Sequence, residues 1–191
     1  MPQLKLANLL FLISVSSGLL TAQSSERAID VDRSTMTIHV FKTGVFSFAA
    51  DNHEIRAPLV SGRVDQGKRT VELTVDARKM KVLDPKMSDS KRAQVQEKML
   101  SPEVLDPERY PEIKFQSTDV KGSGRQLTVT GDLTLHGQTH PVVVAVTGGD
   151  SGYKGKATIK QTDFGMKPVT VGGGTVKVKD EVEIEFEIVL K

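Results

Sequence analysis

From Ala28 onward, apolar and polar residues alternate along most of the chain. The last segment shows it best, with Val182, Ile184, Phe186, Ile188 and Leu190 interleaved with Glu181, Glu183, Glu185 and Glu187. Only an extended strand sorts those two sets onto opposite faces; a helix would spread the glutamates around its circumference. The same period of two recurs in Met36, Ile38 and Val40, in Val71, Leu73 and Val75, and in Ile113, Phe115 and Ser117. It returns in Leu127, Val129, Leu133 and Leu135, in Val142, Val144 and Val146, and in Tyr153, Ala157 and Ile159. Turn residues separate these runs at Asp65-Gln66-Gly67, Lys121 to Gly124, His136-Gly137 and Gly148 to Gly152. Spacings this short make hairpins, and hairpins make antiparallel pairs.

Regularly spaced strands with one apolar face each fit a sandwich or a barrel. The barrel is favoured, because the long apolar final strand would template aggregation if its edge were left unpaired. One stretch breaks the pattern: Asp89 to Leu100 holds neither Gly nor Pro and is rich in helix-tolerant residues. It predicts a short helix over about 89–100, capped by Ser88 or Ser90 and ended before Pro102, with Val95, Met99 and Leu100 turned inward over one mouth. The triplet Gly172 to Gly174 is read either as a mobile loop or as a tight hairpin with a bulge.

The N-terminus follows another rule. Lys5 precedes the apolar run Leu9 to Val15, and small residues follow at Ser16, Ser17, Gly18 and Ala22. A run of roughly a dozen residues is shorter than the ~20 that span a bilayer, so residues 1–22 are expected to be a signal peptide rather than a retained anchor. The product is then periplasmic or secreted, with residues 23–191 as one domain of about 170 residues, enough for a sizeable core. The sequence has no cysteine, which excludes disulfides and an acylated lipoprotein cysteine.

The formal net charge is only +2, with the two signs interspersed, so no nucleic-acid partner is indicated. Between Arg78 and Lys98 seven basic residues outnumber Asp84, Asp89 and Glu97, which reads as a solvated face or as transient contact with anionic lipid headgroups. No nucleophile elbow, phosphate loop or dinucleotide fingerprint occurs, and no catalytic residue is assigned. The histidines His39, His53, His136 and His140 are read as surface or turn residues and no metal ligand is assigned; ligation by His53 with Asp51 or Glu54, as in a metal-dependent, hydrolase-like site, is the alternative. Small barrels of about eight strands either fill their interior or leave room for one apolar ligand, and the Val, Ile and Leu of the inward faces suit both.

Three segments carry a family resemblance: Ile29-Asp30, Arg109 to Ser117 (RYPEIKFQS), and Val129 to Val142 (VTGDLTLHGQTHPV). Together they resemble the YceI-like family of periplasmic polyisoprenoid-binding proteins, over essentially all of residues 23–191. The resemblance implies an all-β, antiparallel, eight-stranded lipocalin-like barrel holding an isoprenoid lipid or quinone in a tunnel, with no cofactor required. The expected lining is drawn from Ile38, Val40, Phe46, Phe48, Leu73, Val75, Ile113, Phe115, Leu133, Leu135, Val144, Ile159, Phe164, Ile184, Phe186 and Ile188. The chain departs from the family pattern at the mouth, where Gln96 to Leu100 replaces a common Arg-Asp-x-His-Leu and Lys42 stands for a common histidine. Asn52 to Ile55 is the candidate replacement for those polar contacts. The expected partner is a small apolar ligand, with a homodimer left open. The metal-dependent enzyme and a closed-core structural or partner-binding domain are the readings from other classes.

Overall fold

The structure, a computed structural model, describes residues 25–43, 52–171 and 176–191. The expected signal peptide and Asp51 lie outside the described residues. Where alternation is strongest the chain is strand. β12 (Val176–Val189) pairs with β10 (Gly152–Lys160) along one edge and β2 (Thr35–Thr43) along the other, so that Ile184 stands between Ala157 and Ile38. In β9 (Gln138–Gly149) the two faces separate as expected: Val142, Val144 and Val146 are buried, whereas Val143 is 61% exposed.

The remaining strands are β1 (Glu26–Ala28), β3 (His53–Arg56), β4 (Leu59–Asp65), β5 (Thr70–Asp76), β6 (Lys81–Val82), β7 (Glu112–Ser123), β8 (Gln126–Leu135) and β11 (Thr170–Val171). They form one curled antiparallel sheet in the order β1-β4-β5-β7-β8-β9-β10-β12-β2-β3-β6, with β11 beside β12. Among the described residues twelve hydrogen-bonded segments thus stand where eight strands were expected. One segment of the excess has a physical cause in Pro58, which has no N–H to give a ladder and which separates β3 from β4 with only Ala57 beside it; the short β1, β6 and β11 make up the rest. The Ala57 N–H still donates to the Met36 carbonyl at 2.9 Å, continuing the β2–β3 ladder up to the break. Beyond β1, Ile29 bridges Leu190, just past the end of β12.

Two irregularities redirect side chains. In β7 the register shifts between Ser117 and Asp119. The apolar face therefore passes from Ile113 and Phe115 to Val120, as an extra residue in one strand requires. β12 shifts between Val178 and Val182, and its first residues pair with β11 across 172–175. The flanks of the glycine triplet are thus those of a hairpin, with the triplet itself outside the described residues. At His136-Gly137 both residues have positive φ, 50° and 74°, which gives the two-residue turn that joins β8 to β9.

Between β5 and β7 the chain leaves the sheet for a 3-10 turn (Ala77–Lys79), β6 and the helix α1 (Asp89–Met99). Ser88 caps α1, its Oγ accepting the Lys91 N–H. The helix is polar around most of its circumference, with Met99 buried and Val95 packed against the core. A directional contact supplements that small apolar area. Gln96 accepts the Val82 N–H at 2.8 Å through Oε1 and donates to the Met80 carbonyl at 2.9 Å through Nε2. Its side-chain amide thus serves β6 as a neighbouring strand would, while β3 holds the other edge.

Candidate functional site: an apolar cavity inside the sheet

The inward faces do not meet. They enclose a cavity of about 1020 Å³ whose lining extends from His53, Met87 and Lys91 beside α1 to Gln66, Gly124 and Asp150 in the hairpin turns at the far end. Of the residues expected to line it, Ile38, Val40, Leu73, Val75, Ile113, Phe115, Leu133, Leu135, Val144, Ile159, Ile184, Phe186 and Ile188 all do so. Phe46 and Phe48 lie outside the described residues. Phe164 is a correction: it is 1% exposed, but it sits in a 3-10 turn (Gln161–Phe164), its ring edge-on to His140 with centroids 5.3 Å apart. The alternation that carries Ala157 and Ile159 inward ends with β10 at Lys160, so Phe164 packs behind the wall instead of on it.

Val95 and Met99 line the cavity from α1, as the inward face expected of that helix implies, and Met80, Leu105 and Met166 line it without having been singled out by sequence reasoning. The last three come from the excursion around α1 and the segment after β10, where no period marks an inward face. For Met80 and Met166 the one signal was chemical: methionine fills irregular apolar gaps better than branched residues do.

Two glycines keep the interior open. A Cβ at Gly131 would stand 2.4 Å from Cζ of Phe115, and one at Gly155 would stand 2.5 Å from Cζ of Phe186. Each ring therefore lies against bare backbone on the neighbouring strand, and two of the largest lining side chains take up wall space in place of lumen. This geometry does not match a solid centre.

The two ends differ chemically. At the hairpin-turn end, Gln66 Nε2 donates to the Tyr153 hydroxyl at 3.0 Å, and Arg69 donates to the Gly122 carbonyl at 3.0 Å. Asp65 organises that end. It accepts from the Ser25 hydroxyl and, at 3.0 Å each, from the Gly67 and Lys68 N–H groups. The Ser25 hydrogen bond first, and then the Lys68 N–H, lower its pKa from 3.8 to about 2. A carboxylate stabilised in this way favours the folded state fully above its ordinary value and loses that contribution as pH falls toward the folded one. Wild-type protein should therefore lose thermal stability more steeply than Asp65→Asn between about pH 4 and about pH 2. Parallel melting curves check this, and equal slopes would contradict the assignment.

At the helix end, His53 Nδ1 lies 2.6 Å from Asp84 Oδ2, and the Glu54 N–H donates to Asp84 Oδ1 at 2.8 Å. The partner of His53 is thus Asp84, brought from 31 residues away, and not Glu54 as the sequence suggested. Among the described residues no group of three or more His, Cys, Asp or Glu is arranged to hold a metal ion. The other histidines are apart from this pair: His39 faces Glu185 at 3.5 Å, and His136 lies edge-on to Tyr110 and hydrogen-bonds the Phe164 carbonyl at 3.1 Å. The Tyr110-Pro111 and His136-Gly137 motif residues are therefore packing partners of one another.

Residues 28–190 match the family described as YceI-like domain. Among curated relatives, a UPF0312 protein of Pseudomonas savastanoi pv. phaseolicola is 40% identical over 102 residues, which is 48% of this chain and 51% of the relative. A UPF0312 protein of Vibrio cholerae is 35% identical over 115 residues, 54% of this chain and 59% of the relative. The chain spans about half the length of the curated relatives it matches. Burkholderia cenocepacia BcnA has a similar solved structure, with TM-score 0.56, 21% identity and coverage of 85% of this chain and 99% of that one. The Campylobacter jejuni YCEI protein follows at TM-score 0.51 and 14% identity, covering 78% of this chain and 84% of that one.

Proposed function

The chain belongs to the YceI-like domain family, and from that premise we propose that it is a binding protein for an apolar, isoprenoid-type lipid, such as a polyprenyl or quinone-like molecule, rather than an enzyme. The observation that carries the reading is the cavity of about 1020 Å³. Small-molecule pockets run to about 1,000 Å³ and are lined mainly by apolar side chains with a few polar groups, which is the composition found along this lumen. Burial of ligand hydrocarbon contributes about 0.8 kcal/mol per CH₂ before the costs of association, so several isoprene units bind without a strong polar contact. No cofactor is needed for such a role.

The lipocalin-like, eight-stranded barrel belongs to the same proposal. Two features support it. β3 and β4 are consecutive and separated only by Ala57 and Pro58, so they count as one bent strand that meets β2 on one side and β5 on the other. The Ile29–Leu190 bridge fills the corner where β1 meets the end of β12. The leader-like segment 1–22 supports a periplasmic or secreted location, where lipid would be taken up from or delivered to a membrane surface.

Native mass spectrometry of gently extracted protein tests the reading. A bound hydrocarbon of discrete mass is expected, and it should be absent from folded Phe115→Glu and Ile184→Glu variants, whose carboxylates would face the lumen. Bound zinc would point to a metal site instead, and the bare polypeptide mass after exposure to isoprenoid lipid would remove the proposal.

A further inference from the structure

Beside α1 the lining changes from apolar to charged, and the charge has one sign. The face of β2 that contributes Ile38 and Val40 continues two residues on to Lys42, which also lines the cavity. On α1, Lys91, Val95 and Lys98 are spaced to share one face, and all three line the same opening. Lys177, near the start of β12, adds a fourth ammonium. The acidic residues in the lining are Asp65 and Asp150, and both belong to the hairpin turns at the other end; beside the mouth, outside the lining, Glu103 pairs with the Lys98 ammonium.

His53 stands among these lysines on a prepared mount. It opens β3 on the face that carries the buried Ile55 and Ala57, so its ring is turned inward, and it too lines the cavity. Asp84 holds Nδ1 at 2.6 Å and is itself 7% exposed, with its second oxygen taken by the Glu54 N–H. Asp84 is therefore engaged on the protein side and fixes the ring orientation. Nε2 is the nitrogen that His53 can offer to the lumen, where an imidazole meets a ligand oxygen as acceptor or donor according to its protonation. The lysines decide which charge that oxygen carries.

We infer that the helix-end mouth is a headgroup site and that the ligand is an anionic amphiphile. A carboxylate or phosphate sits beside Lys42 and Lys91 with one oxygen toward His53 Nε2, Lys98 being shared with Glu103 at the rim, and its hydrocarbon tail runs down the cavity. This rests on the reading that the lumen holds an apolar tail. Charge-assisted hydrogen bonds are roughly twice as strong as neutral ones, so the mouth should separate acids from a neutral alcohol with the same tail.

Three probes share one C18 tail: oleate, oleyl phosphate and oleyl alcohol. Their affinities are read by displacement of the apolar fluorophore N-phenyl-1-naphthylamine from the full-length protein. The acids should bind about tenfold or more tighter than the alcohol, a gap of about 1.4 kcal/mol. A preference confined to oleate or to oleyl phosphate would support the inference and say which headgroup is the source. Lys42→Met/Lys91→Met should bring the acids to within about twofold of the alcohol and leave the alcohol unchanged. His53→Gln, which keeps a hydrogen-bonding group beside Asp84, should weaken the acids severalfold and not the alcohol. Equal affinity for all three probes in wild type, or full discrimination in the double lysine variant, would overturn the headgroup site and leave the carrier reading standing. Failure of all three to bind would overturn the carrier reading itself.

Discussion

Ala157→Trp should fold with near wild-type stability and lose most of its lipid uptake. Ala157 is 8% exposed, lies opposite Ile184 and lines the cavity at mid-wall. In a close-packed interior an alanine this buried could not become tryptophan, because overpacking typically costs about 1–3 kcal/mol and often more for so large a change. Here the indole has somewhere to go. An apolar cavity of about 150 Å³ already accepts benzene, and the lumen is several times that size at about 1020 Å³. The melting temperature should stay within about 4 °C of wild type, the shift that about 1 kcal/mol produces in a domain of this size. The ligand is affected far more. An indole that displaces only two methylenes of a bound chain removes about 1.6 kcal/mol, more than tenfold in affinity. Val143→Trp places the same side chain on the outer face, where Val143 is 61% exposed, and should change neither property. Normal uptake by Ala157→Trp, or equal losses in the two variants, would mean that the ligand is not in the lumen.

The inward-facing set was legible because a strand's period of two is a local property, and Ile113, Ile184 or Val144 can be assigned to a face from the neighbours alone. Phe164 was misplaced because no alternation assigns it: it is out of phase with Ala157 and Ile159 and lies in a 3-10 turn just past the end of β10. The cap at Ser88 and the extent of α1 were also local and were found. What escaped depends on distance along the chain. Asp84 reaches His53 across 31 residues. Gln96 borrows the edge of β6, and Met80 and Met166 arrive at the lumen from segments with no period. Pro58 was visible as a residue, but its effect on the strand count follows from which neighbours β3 and β4 pair with, and that is a tertiary fact.

A lumen that stays open also needs a physical account, since aliphatic and aromatic faces gain free energy by collapsing together. Part of the answer lies in how the wall is built. Hydrogen-bond ladders hold the backbones apart at fixed spacing, so side chains cannot close the gap by moving their strands. What they can do is point into the gap, and for Phe115 and Phe186 the glycines on adjacent strands offer an alternative seat. The two rings thus add apolar surface to the lining without subtracting much volume from it.

Gly131→Ala should accordingly be one of the most damaging small substitutions in the sheet. The new Cβ would lie 2.4 Å from Cζ of Phe115 and 2.6 Å from the carbonyl oxygen of Gln116. The ring can swing into the lumen, but the carbonyl belongs to β7, whose ladder with β8 pairs Ser117 with Gly131 at the edge of the bulge. Relief there requires backbone movement, so the expected cost is about 2–3 kcal/mol, a fall of roughly 4–12 °C in melting temperature. Phe115→Leu in the Gly131→Ala background removes the ring clash and not the carbonyl clash. It should restore part of the loss, and the double-mutant cycle should show coupling of about 0.5 kcal/mol or more between the two positions. Where Gly131→Ala alone still folds, the displaced ring should occupy the lumen and weaken lipid binding as well. Gly155→Ala repeats the geometry with Phe186, 2.5 Å from its Cζ, and with the Ala145 carbonyl oxygen at 2.6 Å. If thermal melts of Gly131→Ala and Phe115→Leu were additive and lipid uptake were unchanged, the glycine seat would not be what keeps that ring out of the cavity.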